Sequence, residues 1–243
     1  MASVGINSFM NSFNNRLEAP VQQHLKNVYA CLAMSTLAAG VGASVHLFTN
    51  ILQAGFLSAI GALVFFFLLL STPEDNGKGM TKRVGYLLGF SALTGVGMGP
   101  LLEAVMIVDP SIIITAFIAT SVVFVSFTIC AIFSDRGKWL YLGGILFTML
   151  NSLILMSLAN IFFGSTLLWN AQIYVGLLAM CGFVLYDTQA IIEKRRMGSK
   201  DFVGHSLDLF VDFIGIFKRL LIILTQKVIS DRNRNNRRRE ETD

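Results

Sequence analysis

Charged residues are scarce in this chain. Asp, Glu, Lys and Arg make up 14% of its 243 residues, against roughly 25% in an ordinary soluble domain. Hydrophobic residues make up 54%. This imbalance excludes an ordinary soluble domain and predicts a membrane protein. Because a helix needs about 20 apolar residues to cross the hydrocarbon core, the chain has room for about seven such helices.

Signs of a secreted, disulfide-stabilised or metal-binding protein are also missing. The polar segment 1–26 holds no continuous apolar core, so we do not expect a signal peptide. Three cysteines lie within apolar runs, as small apolar residues do: Cys31, Cys130 and Cys181. Three histidines lie near the ends of such runs without metal-ligand spacing, so we expect interfacial positions and no cofactor: His24, His46 and His205.

Six long apolar runs contain no Lys or Arg. They cover residues 27–47, 51–70, 84–108, 111–133, 139–160 and 167–192. A backbone inside the bilayer must satisfy its own hydrogen bonds, and short alternating strands are absent, so the runs are predicted to be helices. A seventh segment, 206–229, is long enough to cross but carries charge. The predicted fold is an all-α, multi-pass membrane protein with a bundle of seven helices.

Basic residues alternate between the connections. The N-terminal segment and the loops after spans two, four and six carry Arg16, Lys26, Lys78, Lys82, Arg83, Arg136, Lys138, Lys194, Arg195, Arg196 and Lys200. The loops after spans one, three and five carry no Lys or Arg. By the positive-inside rule the N-terminus is expected in the cytoplasm. We therefore divide the chain into a cytoplasmic N-terminal segment (1–26), a transmembrane helical domain (27–229) and a basic C-terminal tail (230–243).

The positive-inside rule also bears on whether the seventh segment, 206–229, crosses the membrane fully. If it crosses fully, Lys227 and five arginines of the tail reach the otherwise uncharged side; if it enters and returns, they join the other basic residues. The rule favours a re-entrant seventh helix. Three of those arginines, expected to lie in solvent or to attract anionic lipid, are Arg237, Arg238 and Arg239.

Carboxylates inside apolar segments are the main candidates for function. A charge at mid-membrane costs about 2.5 to 3.5 kcal/mol on insertion scales, so such groups face a partner, a cavity or water. Asp208 and Asp212 share one helix face, which continues through Gly215 and Arg219. This half-polar face predicts that the other six helices enclose the seventh.

Asp187, near the end of span six, is separated from span seven by a short connection. Antiparallel packing can bring Asp187 opposite Asp208 or Asp212. Two carboxylates in contact share a proton and titrate together, so such a pair would sense pH. The alternative is that Asp187 meets water at the span's end while Asp208 and Asp212 pair with Lys or Arg inside the bundle.

Span three contains the sequence GVGMGP at residues 95–100, just before Glu103. Three glycines and a proline permit either tight helix packing or a break in the helix. Glu103 is a candidate acid at the lumenal entrance of an ion path, or a solvated residue at the bilayer surface.

Five stretches resemble the transmembrane Bax inhibitor motif family: QQHLKNVYACLA, LTGVGMGPLLE, YLGGIL, MCGFVLYDTQAIIEK and DLFVDFIGIFKRLLIIL. The resemblance covers nearly the whole chain. It implies an endoplasmic-reticulum membrane protein that suppresses cell death and lets Ca²⁺ leak in a pH-dependent way. It also implies a central last helix, and it attributes the leak to an aspartate pair that maps to Asp187 and Asp212.

One feature departs from the family pattern. Some relatives pair the aspartates with an arginine on the second helix, but the second span of this chain has no basic residue. A shared proton or contact with Arg219 must then take that role. Asp187 and Asp212 would bind Ca²⁺ only weakly and transiently, because Ca²⁺ takes 6 to 8 oxygen ligands. With both aspartates ionised, the pair attracts a cation, so the leak is expected to rise with pH.

Other functions use the same residues. A Ca²⁺/H⁺ exchanger would need the same acids, although the two halves show no internal repeat. A membrane scaffold would act through partner proteins of the cell-death machinery. An intramembrane aspartyl protease is disfavoured because the residues before Asp212 do not read Gly-x-Gly-Asp and no Pro-Ala-Leu motif is present. We therefore predict no enzyme activity, lipids and membrane proteins as partners, and no nucleic-acid partner.

Overall fold

The computed structural model describes residues 17–49, 54–73 and 79–240. Its regular secondary structure in these ranges consists of eight α-helices. They are α1 (Ala19–Phe48), α2 (Phe56–Ser71), α3 (Met80–Gly97), α4 (Gly99–Val108), α5 (Ser111–Phe133), α6 (Leu142–Phe163), α7 (Thr166–Arg196) and α8 (Phe202–Glu240). The prediction of an all-α, multi-pass membrane protein is confirmed.

Four helices are long and apolar enough to cross a membrane: α1, α5, α6 and α7. Helices α3 and α4 pass the same test together and are bent by 43°. Helix α2 is apolar but has 16 residues, and its predicted start at residue 51 lies outside the described residues. The four long helices, α2, the broken span of α3 and α4, and α8 together give the predicted seven segments.

The third predicted span is interrupted at Met98, which is one of the two possibilities that its glycine-rich stretch left open. Pro100 lies in the first turn of α4, where its missing N–H is not needed and its ring does not clash. Gly95 serves close packing instead: a methyl group there would overlap the Ala39 carbonyl of α1. Both roles offered for the glycine-rich stretch are therefore present, at successive turns.

Helix α8 lies at the centre of the bundle and packs against α1, α3, α4, α5 and α7. The polar residue Asp212 is buried, as expected for the enclosed polar face. Phe210 and Phe213, on the other side of the helix, are buried as well. The first half of α8 is thus enclosed on nearly all sides, which confirms its predicted central place.

The two ends of α8 lie at opposite ends of the bundle. Near its start, Asp201 accepts a 2.7 Å hydrogen bond from Arg83 at the start of α3. Near its other end, Arg232 lies 3.9 Å from Asp109, between α4 and α5. With 39 residues, α8 is about 58 Å long. The re-entrant form that the charge rule favoured is therefore wrong.

The helix also continues through most of the predicted tail. Residues 230–240 belong to α8, and residues 216–240 contain no glycine or proline that would end a helix. We call the end of the bundle where α7 ends and α8 begins the basic end. The loop that contains Asp109 marks the opposite end.

Candidate functional site

Asp187 of α7 and Asp212 of α8 meet across the interface of these antiparallel neighbours. Their carboxyl groups are within hydrogen-bonding reach of each other. Asp212 is 3% exposed, and its Oδ2 has no N–H or hydroxyl donor among the described residues. Two ionised carboxylates have no proton to donate, so contact between them requires a shared proton.

Asp208 lies one turn before Asp212 on α8 and is half-buried. Its charge acts on both Asp187 and Asp212. The three predicted aspartates therefore converge at one place. We call them the aspartate cluster.

The aspartate cluster has no basic partner in direct contact. Lys194 is close enough to interact electrostatically with Asp187 and Asp208. Within the described ranges, however, no Lys, Arg or His nitrogen comes within 4.0 Å of the three carboxylates. The described residues therefore do not form the alternative ion pairs inside the bundle.

Three buried hydroxyls lie close to this part of the bundle, and sequence reasoning missed them. The Tyr29 hydroxyl of α1 lies within reach of Thr128 of α5 and Thr188 of α7. In the part of the chain that the structure describes, none of the three has a well-oriented hydrogen-bond partner. Thr188 directly follows Asp187. Single hydroxyls inside apolar runs give no sequence signal that distinguishes them from ordinary packing residues.

Two of the three histidines form a buried pair. His24 Nε2 lies 2.8 Å from His205 Nδ1, and the residues are 5% and 4% exposed. Both rings are covered by the packed helices, and their interfacial depth stays a prediction. A neutral pair satisfies one nitrogen of each ring, since one imidazole donates and the other accepts. The contact joins residues 181 positions apart, which no spacing in the sequence reveals.

The third histidine belongs to the opposite end of the bundle. His46 is also buried, its Nδ1 accepts a 2.8 Å hydrogen bond from the Ala54 N–H, and its Nε2 lies 3.3 Å from Glu103. The structure therefore does not bring Glu103 to the aspartates. Its side chain is 55% exposed.

A charged cluster closes the basic end. Arg136 donates two hydrogen bonds to Glu193 through Nε and Nη2, at 2.9 and 2.8 Å. Arg196 donates to Glu193 at 2.7 Å and to Glu18 at 3.1 Å. Together these pairs join the end of α7 to the loop after α5 and to the segment before α1. A hydrogen bond that the carboxyl of Glu18 accepts from its own backbone N–H lowers its pKa, and the hydrogen bond from Arg196 lowers it further.

A cavity of about 230 Å³ lies beneath this cluster. Gln189, two residues beyond Asp187, lines it and donates to the carbonyls of Ala131 and Asp135. Asp135, Arg136, Glu193 and Arg196 also line it. The basic end thus presents a polar hollow about one turn from the aspartate cluster.

The remaining predicted residues lie apart from the aspartates. Arg219 hydrogen-bonds to the Gly215 carbonyl at 2.9 Å and not to a carboxylate. The last turn of α8 presents three exposed arginines: Arg237, Arg238 and Arg239. Among the described residues, no group of three or more His, Cys, Asp or Glu has an arrangement that would hold a metal ion. Weak Ca²⁺ contact at Asp187 and Asp212 stays a prediction.

Comparisons with known proteins find matches that cover most of the chain. The family described as "Inhibitor of apoptosis-promoting Bax1" matches residues 21–228. Bax inhibitor 1 of Homo sapiens is 50% identical over 203 residues, which cover 84% of this chain and 85% of that protein. Bax inhibitor 1 of Drosophila melanogaster is 41% identical over 235 residues, or 97% and 94% of the two chains. Bax inhibitor 1 of Arabidopsis thaliana is 40% identical over 210 residues, or 86% and 83%. This multi-pass helical membrane protein therefore belongs to the family of inhibitors of apoptosis-promoting Bax1.

Proposed function

We propose that this protein is a pH-sensitive Ca²⁺ leak channel of the endoplasmic-reticulum membrane that suppresses apoptosis and cell death under ER stress. The names of the family and of its relatives support the apoptosis-inhibiting role. One observation carries the channel proposal: two carboxyl groups from different helices are buried in contact, and the described residues supply no basic partner. The protein would act without enzyme chemistry or a resident cofactor.

The carboxyl pair acts as the pH sensor. While Asp187 and Asp212 share a proton, their hydrogen bond holds α7 against α8. When both lose their protons, the two charges repel each other by about 4 kcal/mol at 4 Å and an effective dielectric constant of 20. The repulsion loosens the α7–α8 contact and the freed negative charge attracts a cation. The leak therefore rises with pH.

Calcium is the ion that these groups suit. Ca²⁺ takes 6 to 8 oxygen ligands, so two carboxylates with carbonyls and water would hold it loosely. A conducted ion must leave as readily as it enters, so loose binding favours flow. Asp208 adds negative charge beside the pair. The buried hydroxyls of Tyr29 and Thr188 form no well-oriented hydrogen bond among the described residues, so they offer sites for ordered water or an ion.

The orientation follows from the distribution of basic residues. The positive-inside rule assigns the basic end and the N-terminus to the cytoplasm. Because α8 runs from the basic end to the opposite end, its last turn then lies on the lumenal side. There Arg237, Arg238 and Arg239 would attract anionic lipid headgroups. Membrane proteins of the cell-death machinery are the partners that an apoptosis inhibitor requires.

Calcium efflux from proteoliposomes tests the proposal. The full chain is reconstituted and efflux is followed across a pH series for the wild type, Asp187→Asn and Asp212→Asn. We expect wild-type efflux to rise with pH and either substitution to flatten the profile. Asp231→Asn removes an exposed carboxylate from the same helix and serves as the matched control.

Efflux equal to that of empty liposomes in every sample would refute the channel. A scaffold would then explain protection against cell death, and the double variant Asp187→Asn, Asp212→Asn would still protect cells.

A Ca²⁺/H⁺ exchanger is the second candidate, because a carboxyl pair that holds one proton can exchange it for a cation. An imposed proton gradient separates the two functions. It drives Ca²⁺ against its own gradient in an exchanger, whereas a channel only lets Ca²⁺ run down.

A further inference from the structure

Arg219 occupies a notch between α7 and α8. A methyl group on Gly176 of α7 would overlap its guanidinium, whereas one on Gly215 of α8 would meet the Met180 sulfur first and lie at an ordinary contact distance of 3.4 Å from Nη1. Gly176 therefore leaves the space that this side chain fills. Its neighbour Lys218 is exposed, so Arg219 occupies the notch and Lys218 does not.

The guanidinium carries its charge without a counter-charge in contact. It donates one hydrogen bond, to the Gly215 carbonyl. No carboxylate within the described ranges lies within 4.0 Å of it. An unpaired charge inside a membrane bundle is costly, and such residues face an ion path or a water-filled space.

Arg219 lies on the same helix interface as the carboxyl pair. It follows Asp212 by seven residues, which places it two turns further along the same face, about 10.5 Å away along the helix axis. Gly176 lies on the matching part of antiparallel α7, eleven residues before Asp187. A cation that moves along this interface from the opposite end must pass the guanidinium before it reaches the aspartates.

We propose that Arg219 is a charge filter, a fixed cation that limits the access of divalent cations to the carboxyl pair and keeps the leak small. This inference rests on the proposed channel function. If the 10.5 Å between the two positions along the helix axis is taken as the distance, one unit charge changes the local population of a monovalent cation about twofold at a water-like dielectric constant and about 14-fold at 20. For a divalent cation the factor is squared, to about fourfold and about 200-fold. The filter therefore discriminates between cations by charge.

Paired flux measurements test the filter. Ca²⁺ and K⁺ fluxes are measured in proteoliposomes for the wild type, Arg219→Gln, Arg219→Lys and the control Lys218→Gln. We expect Arg219→Gln to raise Ca²⁺ flux about fourfold or more and K⁺ flux by about the square root of that factor. Arg219→Lys and Lys218→Gln should stay close to the wild type. Arg219→Met keeps the aliphatic stem and replaces the Gln variant if that variant does not fold.

Three results would overturn the filter: unchanged or lower Ca²⁺ flux, equal increases for both ions, or a Lys variant that behaves like the Gln variant. A second readout separates this inference from the channel proposal. If wild-type protein conducts nothing, the channel fails, and equilibrium binding of Tb³⁺ to detergent-purified protein then decides on Arg219. Removing its charge should tighten Tb³⁺ binding about eightfold or more, and equal affinities would refute the role of Arg219.

Discussion

Replacement of Asp201 by Asn should destabilise the bundle more than loss of an exposed ion pair. Arg83 is 6% exposed, and its Nε and Nη1 have no hydrogen-bond partner among the described residues. Its contact with Asp201 is therefore the main compensation for a buried charge. Asn keeps the acceptor that receives the 2.8 Å hydrogen bond from the Gly204 N–H at the start of α8. The substitution thus removes the charge and leaves the helix cap.

The expected loss is about 2 to 4 kcal/mol of unfolding free energy. Breaking a fully buried ion pair from one side costs about 3 to 5 kcal/mol, and the Asp201 side chain is 24% exposed, which lowers this figure. In a chain of this size the loss corresponds to a fall of about 5 to 10 °C in the apparent melting temperature. Thermal unfolding of the detergent-purified protein measures it.

The same pair predicts a pH dependence. Burial opposes ionisation of Asp201, but hydrogen bonds from Arg83 and the Gly204 N–H hold its pKa below the ordinary value. A lowered pKa means that the stabilisation is present above the unfolded-state pKa and is lost as pH falls through the folded-state pKa. The difference between wild type and Asp201→Asn should therefore be complete at pH 7, begin to shrink as pH falls toward the unfolded-state pKa of about 3.9, and disappear only below the lower folded-state pKa.

Glu18→Gln provides the matched control, because Glu18 forms an ion pair with Arg196 while 58% exposed. Exposed pairs contribute about 0 to 1 kcal/mol. If Asp201→Asn changed the melting temperature no more than Glu18→Gln, or if its effect persisted unchanged at acidic pH, the account of a buried pair would be refuted.

Two further stability predictions use the same unfolding assay. Gly95→Ala should cost about 1 to 3 kcal/mol of unfolding free energy, because the added methyl group overlaps the Ala39 carbonyl. Its control, Gly40→Ala, meets nothing within 4 Å and should be neutral or stabilising. Equal effects of the two substitutions would contradict the close α1–α3 contact. His205→Leu should cost about 1 to 3 kcal/mol, because it leaves the buried His24 nitrogen without its partner. Adding His24→Leu should then cost less than the sum of the two single losses, and full additivity would argue against the pair.

Composition predicted the fold class because the bilayer imposes a strong constraint. Long runs without Lys or Arg must be helical inside a membrane, and residues 111–133 form α5 with the predicted bounds. The interruption at Met98 also follows from local chemistry, since glycine and proline act on the backbone next to them. These features depend on near neighbours in the chain.

The charge rule did not predict the path of α8. The rule counts basic residues near the ends of spans, and at the C-terminus it gave weight to the arginines behind residue 230. Packing works differently: the first half of α8 buries Leu209, Phe210 and Ile216 in the centre of the bundle. A helix held there on nearly all sides runs on to the opposite end, because no glycine or proline interrupts it after residue 215.

The sequence by itself determined that the chain is a membrane helix bundle. It also determined that three aspartates lie inside apolar segments, where charged side chains are unusual. Helical periodicity also placed Asp208, Asp212 and Arg219 on one face. Only the tertiary structure decided that Asp187 touches Asp212, that Arg219 lies apart from both in a glycine notch, and that His24 meets His205. The physical reason is that side-chain spacing along one helix follows from its geometry, whereas contacts between helices depend on how all of them pack together.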